Sequence, residues 1–115
     1  MTTENNPSAE FLADLLNSLK NPLLVADTDH KVLYLNRAAE DFYTGGSNLL
    51  GSSLLACHNQ QSQQQMRDIL ERMQEGLDEE IITDNEKWRI YMRAMRSATG
   101  ELVGYYERYE PPRGS

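Results

Sequence analysis

The first patterned stretch of the chain has apolar residues three or four positions apart, which is the spacing of one face of an α-helix. We predict a helix over residues 7–19, with Asn6 as its N-cap and Pro7 at its first helical position. The Asn21–Pro22 pair would break it. A helix of this length is marginal in water, so its apolar face must pack against something. That face consists of Phe11, Leu12, Leu15, Leu16 and Leu19.

Two short apolar runs, residues 23–26 and 31–35, lie on either side of a polar turn and predict a β-hairpin. The turn contains His30 beside charged neighbours, so we expect a solvated imidazole there. The turn has no glycine, so it must do without a residue that adopts a left-handed conformation freely, or take another turn type.

The middle of the chain predicts two further helices. Asn36 is placed to cap a short helix over residues 37–43. After a loop, residues 63–75 form the longest helical pattern, with Ser62 and Gln65 as a capping box. This helix must turn its apolar stripe towards the core. The stripe holds Met66, Ile69, Leu70 and Met73.

Strand patterns dominate the last third of the chain. We predict strands over residues 80–83, 87–96 and 102–109. The middle one alternates, and one of its faces carries Trp88, Ile90, Met92 and Ala94. Antiparallel strands at both ends of the chain, with helices between them, predict an α+β fold with the helices on one face of the sheet.

The composition is that of one ordinary globular domain. The chain has 115 residues, of which 39% are hydrophobic and 25% are charged. We assign a flexible N-terminus to residues 1–6, the first helix to 7–20, the domain to 21–110 and a tail to 111–115. No apolar run approaches the roughly 18 residues of a membrane span, and the N-terminus has no secretory signal pattern.

The charge balance narrows the choice of partners. Eleven basic residues against 18 acidic ones give a net charge of −7. Such a surface repels phosphate backbones and anionic lipids, so we expect neither nucleic acid nor a membrane as a partner. The only cysteine, Cys57, fits a reducing compartment and hence a cytoplasmic protein. The sequence has no phosphate-binding loop and no Ser–His–Asp pattern, so we do not expect an enzyme.

Four short motifs, in order, resemble those of a PAS domain. They are the hairpin at residues 25–35, the N-x-A helix that begins at Asn36, the loop at 49–51 and the turn at 99–104. The resemblance covers residues 20–110 and implies an antiparallel sheet of about five strands with a helical cover. It also implies a sensory or interaction module, which signals through a dimer, an effector domain or another partner. Residues 51–62 resemble PAS segments found with hemerythrin-like domains in bacterial signalling proteins.

The core of such a domain is either solid or holds a small molecule. A pocket would then lie between the long helix and the sheet, and be mostly apolar. The candidate lining residues are Leu33, Phe42, Leu54, Cys57, Met66, Ile69, Leu70, Trp88, Ile90 and Met92.

The adjacent pair Cys57 and His58 leaves two interpretations open. Cys57 is a small core residue and His58 a partly exposed turn residue, or one of them ligates haem iron, with His58 favoured over the Cys57 thiolate. Flavin is disfavoured, because the segment after the cysteine lacks the flavin photosensor pattern. A chromophore attached to Cys57, as in photoactive yellow protein, ranks below haem.

The first helix leaves two assemblies open. If its apolar face covers a neighbour's sheet, the protein is a homodimer through Phe11, Leu12, Leu15, Leu16 and Leu19. If the helix folds back over its own sheet, the same face satisfies a monomer. The tyrosines of the last strands are an alternative dimer surface.

Overall fold

A computed structural model describes residues 7–43 and 45–114 of the chain. It has a five-stranded antiparallel sheet in the order β2-β1-β5-β4-β3, which confirms the predicted fold class. The strands are β1 Leu23–Ala26, β2 Val32–Leu35, β3 Glu79–Asp84, β4 Arg89–Arg96 and β5 Leu102–Glu110. The helices are α1 Ala9–Asn17, α2 Arg37–Phe42 and α3 Gln60–Gln74, with short 3₁₀ helices at Gly46–Leu49 and Leu54–Cys57.

The last strand, β5, lies in the centre of the sheet. It pairs with β1 on one side and with β4 on the other. β4 begins at Arg89 rather than at residue 87, because the side chain of Asn85 accepts hydrogen bonds from the backbone of Lys87 and of Trp88 at 2.9 Å. Trp88 therefore belongs to a turn and not to the strand.

Helix α3 covers one face of the sheet and buries the predicted stripe of Met66, Ile69, Leu70 and Met73. The predicted capping box is wrong. Asn59 is the N-cap, and its side-chain oxygen accepts a hydrogen bond from the backbone N–H of Ser62 at 2.8 Å. The helix begins earlier because the asparagine supplies a cap one turn before the serine. Gly76, at a φ of 117°, follows the C-cap Glu75.

Helix α1 is shorter than predicted. Ser8 caps it and accepts a hydrogen bond from the N–H of Phe11 at 3.0 Å, so Pro7 precedes the cap. The helix ends at Asn17, before the Asn21–Pro22 pair. The prediction of Asn6 as the N-cap and of a flexible segment over 1–6 lies outside the described residues.

His30 is buried and not solvated, so that prediction is wrong. Its side chain is 6% exposed, and its Nδ1 atom lies 2.8 Å from the hydroxyl oxygen of Tyr105. His30 itself adopts the left-handed conformation, at a φ of 64°, and so replaces the glycine that the turn lacks. The side chain of Asp27 supports the turn by accepting hydrogen bonds from the N–H groups of Asp29 and Lys31.

Candidate functional site

The structure brings five of the predicted pocket residues together. They pack into one hydrophobic core between α3 and the sheet: Leu54, Met66, Ile69, Leu70 and Met92. Ile90 is half-buried at the start of β4. The region between α3 and the sheet in which we predicted a pocket is thus part of the hydrophobic core.

Three other predicted lining residues lie apart from this core. Leu33 is 49% exposed, because Val32 and Leu35 of the same strand face inward. Phe42 is exposed at the end of α2, and Trp88 is half-buried beside it. The side chain of Cys57 lies outside the described part of the chain.

Phe42 and Trp88 belong to an aromatic cluster with Tyr43 and Tyr109. The rings meet edge to face, at 5.9 Å between Phe42 and Trp88 and at 5.4 Å between Trp88 and Tyr109. The hydroxyl groups of Tyr43 and Tyr109 are hydrogen-bonded to each other. Such edge-to-face contacts add to the stabilisation that ring burial provides.

An open surface cavity of about 360 Å³ lies against this cluster. We call it the aromatic groove. It is lined by Lys20, Pro22, Ala38, Asp41, Phe42 and Trp88. Lys20 and Pro22 belong to the linker between α1 and β1, so the groove lies at the point where α1 joins the sheet.

Glu107 is a buried carboxyl group that the sequence analysis missed. It is 3% exposed, and its Oε2 atom has no hydrogen-bond partner among the described residues. Burial raises the pKa of Glu107 to about 7, so this group can hold a proton near neutral pH. Alternation along β5 could have revealed it, because Tyr105, Glu107 and Tyr109 fall on one face of the strand.

The two tyrosines beside Glu107 are also perturbed. Burial raises the pKa of Tyr109 to about 12 and moves the pKa of Tyr105 well above its usual value. His30, the partner of Tyr105, has a lowered pKa, first because it is buried and then because Arg67 is nearby. The inner face of β5 thus carries three buried titratable groups whose pKa values burial raises: Tyr105, Glu107 and Tyr109.

His58 follows the 3₁₀ helix Leu54–Cys57 and is half-buried. Its Nδ1 atom lies 2.9 Å from the carbonyl oxygen of Leu54. A proton on Nδ1 would leave Nε2 as the ligating nitrogen, as a haem ligand requires. Leu54, whose carbonyl oxygen His58 contacts, packs in the hydrophobic core with the buried side chains of α3.

Most of the apolar stripe of α1 lies in solvent, and no residue of the helix is fully buried. Phe11 is 62% exposed, the most exposed of the large hydrophobic side chains in the described ranges. The other exposed members are Leu12, Leu15 and Leu19. Leu16 is half-buried, since α1 turns this side towards β2. There the hydroxyl group of Tyr34 donates a hydrogen bond to the side chain of Asn17 at 2.8 Å.

Asn36 connects α1 to the rest of the domain. Its Nδ2 atom donates hydrogen bonds to the carbonyl oxygens of Leu16 and Asn21, both at 3.1 Å. Its Oδ1 atom accepts hydrogen bonds from the N–H groups of Leu23 at 3.0 Å and Ala39 at 2.9 Å. The predicted N-cap of α2 is confirmed, and the same side chain also holds the end of α1 and the start of β1.

The outer face of the sheet is covered by paired charges. Arg108 on β5 bonds to Glu79 at 2.7 Å and to Glu110 at 2.8 Å, and its guanidinium group lies 4.3 Å from the centre of the Tyr91 ring. The hydrogen bond from Arg108 lowers the pKa of Glu79. This face is therefore polar, unlike the exposed stripe of α1.

Within residues 7–43 and 45–114, no group of three His, Cys, Asp or Glu side chains could hold a metal ion. None of the described helices is both long and apolar enough to span a bilayer.

Comparison with known proteins assigns the chain to a family. A family model described as a PAS domain matches residues 12–110. No curated protein matches the chain.

Several solved structures resemble the chain at low sequence identity. A C-terminal domain from Streptococcus mutans is 18% identical, with a TM-score of 0.77 over 91% of this chain and 85% of that one. The PAS domain of BvgS from Bordetella pertussis is 20% identical, with a TM-score of 0.65 over 89% and 84%. The Aer2 receptor from Vibrio cholerae, described as a dual PAS-heme oxygen sensor, is 20% identical, with a TM-score of 0.58 over 77% and 91%.

Proposed function

Since the chain belongs to the PAS domain family, we propose that it is a sensory and interaction module that signals by self-association through α1 and not by catalysis. The observation that carries this proposal is the exposed stripe of Phe11, Leu12, Leu15 and Leu19. A contiguous apolar surface bordered by polar residues is typical of an interaction site.

Association through α1 also accounts for the stability of this helix. Nine residues of helix are marginal in water, and α1 has only half-buried contacts with its own domain. A second copy would cover the stripe without disturbing the side of α1 that faces Tyr34 and Asn36. The charged outer face of the sheet is the weaker candidate for an interface, because its arginines and glutamates already neutralise each other.

The hydrogen bonds of Asn36 offer a route from the core to the interface. Asn36 is fully buried and contacts α1, β1 and α2 at once. A small molecule or partner that shifts α2 or β1 would therefore shift the end of α1. An effector domain or protein that responds to the geometry of the dimer would then detect the shift of α1.

Sedimentation equilibrium on the full chain tests the proposal. We expect a dimer at high micromolar concentration, and a monomer when Leu12→Asp and Leu15→Asp are combined. Leu50→Asp is the matched control, because Leu50 is an exposed leucine far from α1 in sequence. A wild-type monomer at high micromolar concentration would contradict the proposal, as would a dimer that the double variant leaves unchanged.

Haem binding through His58, or less favourably Cys57, is the second candidate and stays a prediction. The hydrogen bond of His58 Nδ1 to the Leu54 carbonyl favours it, and the packed core opposes it. The Aer2 receptor supplies a structural neighbour described as a haem sensor. The visible spectrum of the purified protein after haem addition tests this candidate. A Soret band that His58→Ala removes supports haem binding through His58. An unchanged spectrum in that variant eliminates His58 as the ligand.

A further inference from the structure

We infer that two copies of this chain pair their α1 helices in an antiparallel manner, with Phe11 of each copy inserted into the aromatic groove of the other. The inference rests on the proposed self-association through α1 and adds the direction of the helices and the surface that each one meets. The occupant of the aromatic groove is a second copy of the same chain.

The stripe of α1 leads along the chain to the aromatic groove. Leu19 is the last member of the stripe, and Lys20, the next residue, lines the groove. The N–H of Leu19 donates to the carbonyl oxygen of Leu16 at 3.3 Å, so one further turn after the end of α1 brings the chain to the groove. A helix laid along the stripe would therefore meet the groove beside Lys20.

The spacing of the stripe favours an antiparallel pair. Phe11 and Leu15 lie four positions apart on one line of α1, and Leu19, four positions further on, lies in the turn that follows the helix. A two-fold axis at Leu15 places Phe11 of one copy beside Leu19 of the other, at the edge of the groove. A parallel pair would instead leave Phe11 about 12 Å from that edge, since a helix rises about 1.5 Å per residue.

The charges along this segment favour the same direction. Glu10 and Asp14 lie near the beginning of the segment and Lys20 lies at its end, all three exposed. No hydrogen bond or ion pair joins these side chains to other residues in the described ranges. An antiparallel pair brings Glu10 of one copy towards Lys20 of the other, whereas a parallel pair would bring like charges together.

The groove is suited to a phenyl ring. Its volume of about 360 Å³ exceeds that of one ring, and its lining includes the exposed Phe42 and the half-buried Trp88, whose rings meet at 86°. An additional ring can therefore continue the edge-to-face packing that the cluster already uses. Phe11 is an exposed aromatic side chain that would lose most of its contact with water on insertion.

Disulfide trapping in a full-length Cys57→Ser background tests the direction. We expect an equimolar mixture of Phe11→Cys and Leu19→Cys chains to form a mixed disulfide on mild oxidation, and neither variant alone to form one. Leu33→Cys is the matched control, because it places an equally accessible cysteine on β2. Disulfides between two Phe11→Cys chains would indicate parallel helices and overturn the inference, while leaving the proposed dimer intact.

Trp88 is the only tryptophan of the chain, so its fluorescence reports on the groove alone. We expect its emission to shift to the red as the protein is diluted into the monomer range. We expect Phe11→Ala to raise the dimer dissociation constant roughly 30-fold and to remove the dilution-dependent shift. Val103→Ala, at another exposed apolar side chain, should change neither the dissociation constant nor the dilution-dependent emission shift.

Two results would overturn the groove contact specifically. One is a dimer, shown by sedimentation, whose formation leaves the Trp88 emission unchanged. The other is a Trp88 that is already shielded in the monomeric Leu12→Asp, Leu15→Asp double variant and becomes exposed after unfolding, gel filtration and refolding. A small molecule would then occupy the groove. A wild-type monomer would instead contradict the proposed self-association itself.

Discussion

The side-chain amide of Asn36 donates a hydrogen bond to the backbone carbonyl of Leu16, over 3.1 Å and twenty positions of sequence. The bond fixes an exposed helix to a side chain that is itself fully buried. It joins the surface proposed for self-association to the first hairpin, so its loss should affect both stability and assembly.

Asn36→Asp should separate the two functions of this side chain. The carboxylate keeps the oxygen that accepts from Leu23 and Ala39, but it replaces the donor to Leu16 and Asn21 by a second acceptor. We expect the free energy of unfolding to fall by about 2–4 kcal/mol, since this buried side chain loses two donated hydrogen bonds and places a second acceptor against two carbonyl oxygens. Urea denaturation followed by circular dichroism measures it, and no loss would show that α1 is held by other contacts.

Glu107 should make the stability depend on pH. Its pKa is about 7 in the folded protein and near 4.5 when exposed. The folded state therefore keeps a proton that the unfolded state has lost between these values. The free energy of unfolding should fall by about 3 kcal/mol as the pH rises from below 4.5 to above 7.

Glu107→Gln tests this prediction. The amide has nearly the same shape and does not titrate, so the variant should lack this part of the pH dependence and exceed the wild type in stability at pH 8. Urea denaturation at several pH values compares the two. Parallel curves for both proteins would assign the pH dependence to other groups.

Tyr105→Phe should isolate the buried hydrogen bond to His30. The substitution removes only the hydroxyl oxygen, which lies 2.8 Å from His30 Nδ1, and keeps the ring contact. We expect a loss of about 1–3 kcal/mol, because a buried ring nitrogen is left without a partner. A double-mutant cycle with His30→Asn measures the coupling, and additive effects would contradict it.

Ile69→Ala should create a cavity in the centre of the core. Ile69 is 1% exposed and packs between α3 and the sheet, so we expect a loss of about 2–5 kcal/mol. Leu50→Ala, at an exposed leucine, should change the stability by less than about 0.5 kcal/mol. Equal effects of the two substitutions in thermal or urea denaturation would be inconsistent with this core.

Hydrophobic periodicity predicted the helices and strands of this domain, because it reflects which face of each helix or strand must be buried. The buried stripe of α3 follows directly from it. Caps were less predictable, because Asn59 and Ser62 are both good N-caps and only the packing of α3 selects one.

The buried polar groups were harder to predict than the core. His30 and Glu107 have charged or polar neighbours in sequence, which normally indicates solvent. Their burial depends on partners far along the chain, such as Tyr105 for His30. The aromatic groove has the same origin, since Lys20, Phe42 and Trp88 meet only when three separate segments are assembled.

The central position of β5 has a consequence for how the chain folds. The strand made last, Leu102–Glu110, joins the first hairpin to β4, so neither half of the sheet has its full set of partners until the end of the domain has been synthesised. The paired strands β1 and β5 are thus separated by most of the sequence, and closing such a long loop slows folding. During synthesis on the ribosome, β1 and β4 therefore lack their common partner until β5 has been made. During that interval the free edges of β1 and β4 are the places where a nascent chain of this kind is exposed to aggregation.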